Sequence, residues 1–316
     1  MGAERSTPNV MIRFIAKRLI GLVIILFCVV TITFFLVRLM PGGPFDRERK
    51  LPEHIEKQLL AKYKLDGPLP EQYLNYLGDL LHGDLRLSTK YRSRSVNEIL
   101  ADSLPVSGLL GGIAFCVATV GGVFLGSLAA AKQQTWIDRT AMFGALFAVS
   151  LPSFVIGPIL VLIFAIYWPV LPVGGWGSLQ SLILPSITLA APYTAYIARL
   201  TRSSMLEVLT QDYIRTARAK GLSNTVVIYK HGLRVAILPV VSFLGPLAAN
   251  LLTGSIVVES IFSIPGTGGF FVNSVLNRDG FLLAGVVIVY CSLLVLFNLA
   301  VDLLYGVLDH RISLYD

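Results

Sequence analysis

Six long apolar runs, at residues 19–37, 106–131, 141–167, 182–200, 235–258 and 281–304, decide what this 316-residue chain can fold into. Hydrocarbon offers no partner for backbone N–H and C=O groups, so each crossing of a bilayer must be a helix of about 20 residues or a strand of a closed barrel. The runs are long and continuous, which selects helices. Composition agrees: only 14% of the residues are charged, against roughly 25% in a soluble domain. The sequence predicts an all-α integral membrane protein with six transmembrane helices. Its expected parts are an N-terminal segment 1–18, a first span over 19–40, an extracytoplasmic region 41–105, and a core 106–316 holding five more spans.

An even number of spans puts both ends on one side, and Lys and Arg near the span ends set which side. With the N-terminus inside, the inner segments collect Lys17, Arg18, Lys132, Arg139, Arg215, Arg218 and Lys220, and their bases outnumber their acids. The short outer loops hold only Arg278 as a base. The expected topology is N-in, C-in, and the formal charge of +7 is then a topology signal and not a mark of nucleic-acid binding. The run after Arg18 is longer than a signal-peptide core and lacks a clear cleavage site, so it reads as a retained span. Cys28, Cys116 and Cys291 all fall inside apolar runs and read as small hydrophobes, with no disulfide framework.

In the 41–105 region, Pro52-Glu53 starts one expected helix carrying Ile55, Leu59 and Tyr63 on a shared face, and Pro70-Glu71 a second carrying Tyr73, Leu77 and Leu80 or Leu81, with Gly67-Pro68 as the turn. This region suits either a solvated cap or a docking surface for an extracytoplasmic partner. The second span carries Gly108-x-x-x-Gly112 and Gly122-x-x-x-Gly126, spacings that let helices approach closely. Spans three to five contain Pro152, Pro158, Pro185, Pro192, Pro239 and Pro246, as kinked helices around a polar path or kinks for packing both require.

The spans carry charge only near their ends, at residues such as Arg38, Glu259 and Asp302. A charge at the bilayer centre costs about 2.5–3.5 kcal/mol or more, and no ion-coupling site is evident. His54, His82, His231 and His310 lie outside the spans, no H-E-x-x-H or Cys/His cluster occurs, and neither a G-x-S-x-G elbow nor a G-x-x-x-x-G-K-[ST] phosphate loop is present. If ATP drives this protein, another subunit binds it.

The loop 201–234 is basic and helical in pattern. Thr210 is the expected cap of a helix whose first turn holds Asp212, with Asp212, Arg215 and Arg218 on one polar side and Tyr213, Ile214 and Ala217 on another. Gly221 is the expected stop, and Ser223 or Asn224 the cap of a further helix running toward Pro239. Such a helix fits a groove in a soluble protein, and it also fits a lipid surface.

The residues RTARAKGL (215–222) followed by ILPV resemble the signature of binding-protein-dependent ABC importer permeases. More closely, the chain resembles the B-type permeases of oligopeptide and dipeptide importers nearly end to end. The resemblance rests on FIAKRLIGLVIILFCVVTITFFLVRLMPGGPF, HGDL, LPSFVIGP, ARLTRSSMLEVL, GSIVVESIFSIPGTGGFFVNSVLNRD and NLAVDLLYGVLDHRI. It implies the type I importer fold and a coupling element, comprising Asp212, Tyr213, Arg215, Thr216, Ala217, Arg218, Ala219, Lys220 and Gly221, that docks on an ATPase. It further implies a second permease subunit, two cytoplasmic ATPase subunits that hold ATP and Mg, an extracytoplasmic peptide-binding protein and a peptide substrate. It implies no cofactor on this chain. One departure stands out: the general family pattern Glu-Ala-Ala is here Arg215-Thr216-Ala217, a form the peptide branch shares, and it leaves open which ATPase side chains meet Arg215. Dipeptide, glutathione, murein-peptide and nickel importers use similar permeases, and a proton-coupled peptide carrier is the alternative from another class.

Overall fold

The computed structural model describes residues 8–39, 53–91, 93–252 and 255–308. Among them the architecture is helical, with one isolated bridge between Leu87 and Ser95. In chain order the helices are α1 (Pro8–Leu39), α2 (Glu53–Lys62), α3 (Leu69–Leu81), α4 (Val96–Ala131), α5 (Trp136–Ser150), α6 (Ser153–Val161), α7 (Ile183–Val208), α8 (Asp212–Ala219), α9 (Asn224–Val226), α10 (Leu233–Ala236), α11 (Leu238–Leu252), α12 (Ile256–Ile261), α13 (Thr267–Leu276) and α14 (Gly280–Leu308). Among the described residues five stretches are long and apolar enough to cross a membrane: Ala16–Leu39, Val96–Ala131, Gln180–Val208, Leu238–Ile261 and Gly280–Ala300. A sixth exists if α5 and α6 with its π-helical continuation to Tyr167 count as one span.

That sixth span is bent by 111°, a sharper break than the kink expected of its prolines. Pro152 is the cause. A residue before proline is pushed out of the helical region, and Leu151 sits at φ −92, ψ 128. The second span also begins earlier than its apolar pattern, because Asn97, Glu98 and Asp102 interrupt the run. Its start is a capping box: the Ser95 Oγ accepts from the Glu98 N–H and the Glu98 carboxylate accepts from the Ser95 N–H, each at 3.1 Å.

The chain divides into two compact units. The first, Met1–Pro105 with Gly266–Val295, packs Val96, Ile99 and Leu100 against Leu282 and Val286, and Val30 and Phe34 against Tyr76 and Ala284. The expected helices of the 41–105 region are α2 and α3; the side chains of Ile55 and Leu59 lie outside the described residues, while Tyr73, Leu77 and Leu80 do pack on the core. Two carboxylates organise the polar layer. Asp279 is fully buried and accepts from the Ser88 hydroxyl and from the N–H groups of Thr89, Lys90 and Leu282. Asp79 pairs with Lys64 at 2.9 Å and with the buried Arg86 at 2.8 Å. Burial works against the Asp79 charge, but the hydrogen bonds from Lys64 and Arg86 outweigh it and hold its pKa below the ordinary carboxylate value. Burial pushes the Tyr76 hydroxyl up to about 12, against the opposing pull of the Arg86 and Arg38 charges.

The second unit, Val106–Pro265 with Leu296–Asp316, is built around α7, which packs against α5, α6, α11 and α12. Its core joins Leu110, Ala114 and Ala118 to Leu184, Leu189 and Ile197 and to Leu247 and Leu251. Glycines set the spacing. A Cβ on Gly122 would collide with Ile197 and the Thr194 carbonyl, and one on Gly126 with the Ala198 carbonyl and Thr201. Gly111, outside both spaced pairs, sits against the backbone of Leu251, whereas Gly108 faces open space.

Two outcomes follow from this packing. Gly122→Leu or Gly126→Leu should lower the melting temperature of the detergent-purified protein by an overpacking cost of about 1–3 kcal/mol or more, and Gly108→Leu should leave it unchanged; equal effects at all three positions would contradict the packing. Asp79→Asn leaves the Arg86 guanidinium buried without its counter-charge, a loss of about 3–5 kcal/mol that hydrogen exchange over residues 53–91 reads out. Because the folded pKa of Asp79 is depressed, its contribution is present above the unfolded carboxylate pKa and fades as pH falls through the lower folded value.

Candidate functional site

The expected coupling segment is a two-turn helix, α8, joined to α7 by a tight bend. Its cap differs from expectation by one residue. Thr210 Oγ1 donates to the Glu207 carbonyl at 2.7 Å and closes α7, while Gln211 takes the extended conformation before α8 without a side-chain cap. Asp212 then lies in the first turn, where the unpaired N–H groups favour a negative charge. Arg215 reaches Asp212 at 3.4 Å, but both side chains are exposed, so the pair contributes little.

The C-terminal end has a definite form. Gly221 adopts φ +78, its N–H donates to the Arg218 carbonyl at 3.0 Å, and the Leu222 N–H reaches the Ala217 carbonyl at 3.4 Å. This pair of bonds satisfies carbonyls that the helix leaves open, and it requires a left-handed residue that glycine supplies without steric cost. The chain then turns back through α9 and a π-helical turn over Val227–Gly232 into α10.

That return supplies the floor of the site. Ile214 and Ala217 are buried against Val227 and the half-buried Leu209. Tyr213, Arg215, Thr216, Arg218, Ala219 and Lys220 are exposed, as are Asp212 and Gly221. The side expected to hold Tyr213, Ile214 and Ala217 together therefore splits: two of its members pack inward and Tyr213 faces out. A helical projection cannot show this, because the apolar partner of Ile214 and Ala217 comes from Val227, beyond the glycine turn. A second cluster, Ala130, Met205, Ile228 and Ala236, binds the loop to the ends of α4, α7 and α10.

A charge pair beside this cluster escaped sequence reasoning. Arg202 grips Asp138 with both arms of its guanidinium, at 2.6 and 2.8 Å, and the Gln134 N–H adds a bond at 3.0 Å. Asp138 is only 3% exposed. The fork geometry fixes the first turn of α5 to α7. Only the fold brings these two together across the intervening apolar helices, and their separate places in the sequence carry no pairing signal. Glu259 was expected at a span end. It lies in α12, 2% exposed, and its carboxylate accepts the Ser107 hydroxyl at 2.7 Å. The Asp302 side chain lies outside the described residues. No group of His, Cys, Asp and Glu able to hold a metal ion occurs among the described residues.

A bundle of apolar helices with an exposed, basic, self-seated helix between two of them takes its class, that of transport permease subunits, from its relatives. Residues 122–314 match the family described as "Binding-protein-dependent transport system inner membrane component", and residues 11–107 match its N-terminal companion, "Binding-prot-dependent transport system membrane comp, N-term". The "Oligopeptide transport system permease protein OppB" of Haemophilus influenzae and that of Escherichia coli K12 are each 47% identical to this chain over 304 residues, covering 96% of it and 99% of the relative. The "Dipeptide transport system permease protein DppB" of Bacillus subtilis is 43% identical over 305 residues, with 96% and 99% covered. The chain belongs to the binding-protein-dependent transport system inner membrane component family. Membership places it in the inner membrane, in an ABC transport system whose partners are a binding protein and ATPases, and its relatives are permease subunits rather than ATPases.

The floor makes a test of structure possible at this loop. Ala217→Asp puts a charge against Ile214 and Val227 and should unseat α8, seen as rapid proteolytic cutting between residues 209 and 223 with the rest of the protein intact. Arg218→Gln, on the exposed side, should leave that cutting rate unchanged.

Proposed function

We propose that this chain is the permease subunit of an ATP-driven importer that carries oligopeptides, handed over by an extracytoplasmic binding protein, into the cytoplasm. The likeness to oligopeptide permeases over 96% of the chain carries this reading. The distribution of bases supports an N-in, C-in topology, which puts α8 on the cytoplasmic side. There α8 acts as the coupling helix. Tyr213, Arg215, Thr216, Arg218, Ala219 and Lys220, with Asp212 and Gly221 at the ends, form the surface offered to the ATPase. ATP and Mg are held by two ATPase subunits, and a second permease completes the channel.

The mechanism follows from how α8 is anchored. Its inward face is fixed to Val227 and Leu209, so a push on the exposed face cannot be absorbed by α8 rolling on its own axis. It passes instead into α7 on one side and through the π-helical turn and α10 into α11 on the other. ATP-driven closure of the ATPases thereby tilts the spans and exposes the path to each side in turn. Peptide selection falls mainly to the binding protein, since the spans offer few charged groups. A proton-driven carrier would depend on an intramembrane acid, and Glu259 is buried in a bond with Ser107.

The experiment is a reconstitution of the permeases, ATPases and binding protein in liposomes. Proline cannot take the φ of +78 found at Gly221, nor donate its N–H bond. Gly221→Pro should therefore insert normally yet abolish both uptake and peptide-stimulated ATP hydrolysis, and Arg215→Glu with Arg218→Glu should reduce co-purification of the ATPase. Normal stimulated hydrolysis in both variants would sink the coupling assignment. Uptake by this chain alone under a pH gradient, without ATPase, would replace it with the proton-driven reading.

A further inference from the structure

Within the first unit lies a cavity of about 370 Å³, lined on its apolar side by Val37, Leu60, Leu65, Leu69, Phe281 and Ala284. That volume falls in the usual range for small-molecule pockets, about 300–1,000 Å³. Two arginines, Arg38 and Arg278, also line it, and no carboxylate does among the described residues.

Arg278 is exposed, while Arg38 is held in place. Arg38 lies on the Phe34 ring, 3.5 Å from its centroid, and gives its Nε and Nη2 to the neutral amide oxygen of Gln72 at 3.2 and 2.7 Å and its Nη1 to the Phe34 carbonyl at 3.3 Å. Its charge is thus oriented but not neutralised: no carboxylate among the described residues pairs with Arg38 or with Arg278. Two carboxylates of the same unit, Asp79 and Asp279, are already committed. Asp79 serves Lys64 and Arg86, and Asp279 serves Ser88, Thr89, Lys90 and Leu282. Behind the lining rings of Tyr76 and Phe281, the Arg86 guanidinium adds a further cation at 5.4 and 5.3 Å, with a buried Nη2 that has no hydrogen-bond partner.

The position in the chain bears on which kind of anion these arginines would meet. Arg38 stands in the last turn of α1, whose apolar stretch ends at Leu39, and Arg278 stands just before α14, whose apolar stretch starts at Gly280. The cavity therefore sits where two spans meet the headgroup layer. Ile32, Phe35, Leu36 and Leu39 are exposed on α1 beside it, a surface that acyl chains cover in a bilayer. An anion fixed at this depth against an apolar wall has the form of a phospholipid: phosphate at the arginines, chain along the aliphatic lining. We propose that this cavity is a binding site for one anionic phospholipid, with Arg38 and Arg278 as its phosphate ligands. The inference stands apart from the transport reading, because it concerns lipid affinity and not uptake.

Native mass spectrometry of the complete transporter in detergent tests it, with phosphatidylglycerol and phosphatidylcholine of the same acyl chains as probes. Wild type should retain one phosphatidylglycerol under activation that strips phosphatidylcholine. Arg38→Gln and Arg278→Gln should each weaken that retention about tenfold, the loss of one charge-assisted contact of about 1.4 kcal/mol, and Arg38→Lys should keep part of it, since an ammonium retains charge without the fork. Arg139→Gln, in the other unit, should change nothing. Equal retention of both lipids by wild type, or unchanged retention in both arginine variants, would overturn the proposal. So would displacement by inorganic phosphate at matched concentration, which makes it a free-anion site, or by an oligopeptide, which makes it a peptide-carboxylate site. Should a variant fail to elute as intact complex, the wild-type choice between the two lipids decides alone.

Discussion

The close approach of α4 to α7 is the contact on which the second unit depends. Within a bilayer there is no hydrophobic drive to press one apolar helix on another, so association comes from surfaces that fit closely. Gly122 and Gly126 remove the side chains that would hold the two backbones apart, and Ile197, Ala198 and Thr201 fill the space. Once α7 is fixed there, it serves as the post for α5, α6, α11 and α12. The charge pair Asp138–Arg202 closes the same assembly at the loop end, and Ser107–Glu259 adds a buried polar bond between α4 and α12.

The candidate coupling loop shows how a small element is made stiff. Eight residues form too short a helix to be stable alone, since nucleation is costly and propagation adds little over two turns. Stability is supplied instead by the return of the chain: the Gly221 turn brings Val227 under Ile214 and Ala217, and Met205 and Ile228 continue that contact to the ends of neighbouring helices. The polar face is thereby left whole for a partner. The structure gives the two inward residues a different role from the outward ones, which separates substitutions that dismantle the loop from substitutions that alter its surface.

In the first unit the same economy applies to charge. Buried Asp279 and half-buried Asp79 are each surrounded by donors, which is the condition for drawing a carboxylate out of water. Arg38 differs in kind: among the described residues its donors meet the neutral oxygens of Gln72 and Phe34 and no carboxylate.

The sequence by itself determined the class of architecture, because apolar runs of bilayer length leave the backbone no option but helices. It also determined the glycine turn at 221, since glycine takes a left-handed cap freely, whereas of the two spaced glycine pairs only Gly122 and Gly126 meet a neighbouring backbone, a choice the tertiary structure made. The 111° break at Pro152 and the capping box Ser95-Val96-Asn97-Glu98 were written locally but are hidden in a reading by hydropathy, which averages over single residues. What only tertiary structure decided are the pairings across long stretches of chain: Asp138 with Arg202, Ser107 with Glu259, Asp279 with Ser88, and Val227 with Ile214 and Ala217. Each depends on which helix faces come together, and in a chain where most faces are apolar, a local pattern does not distinguish the face turned to lipid from the face turned to protein.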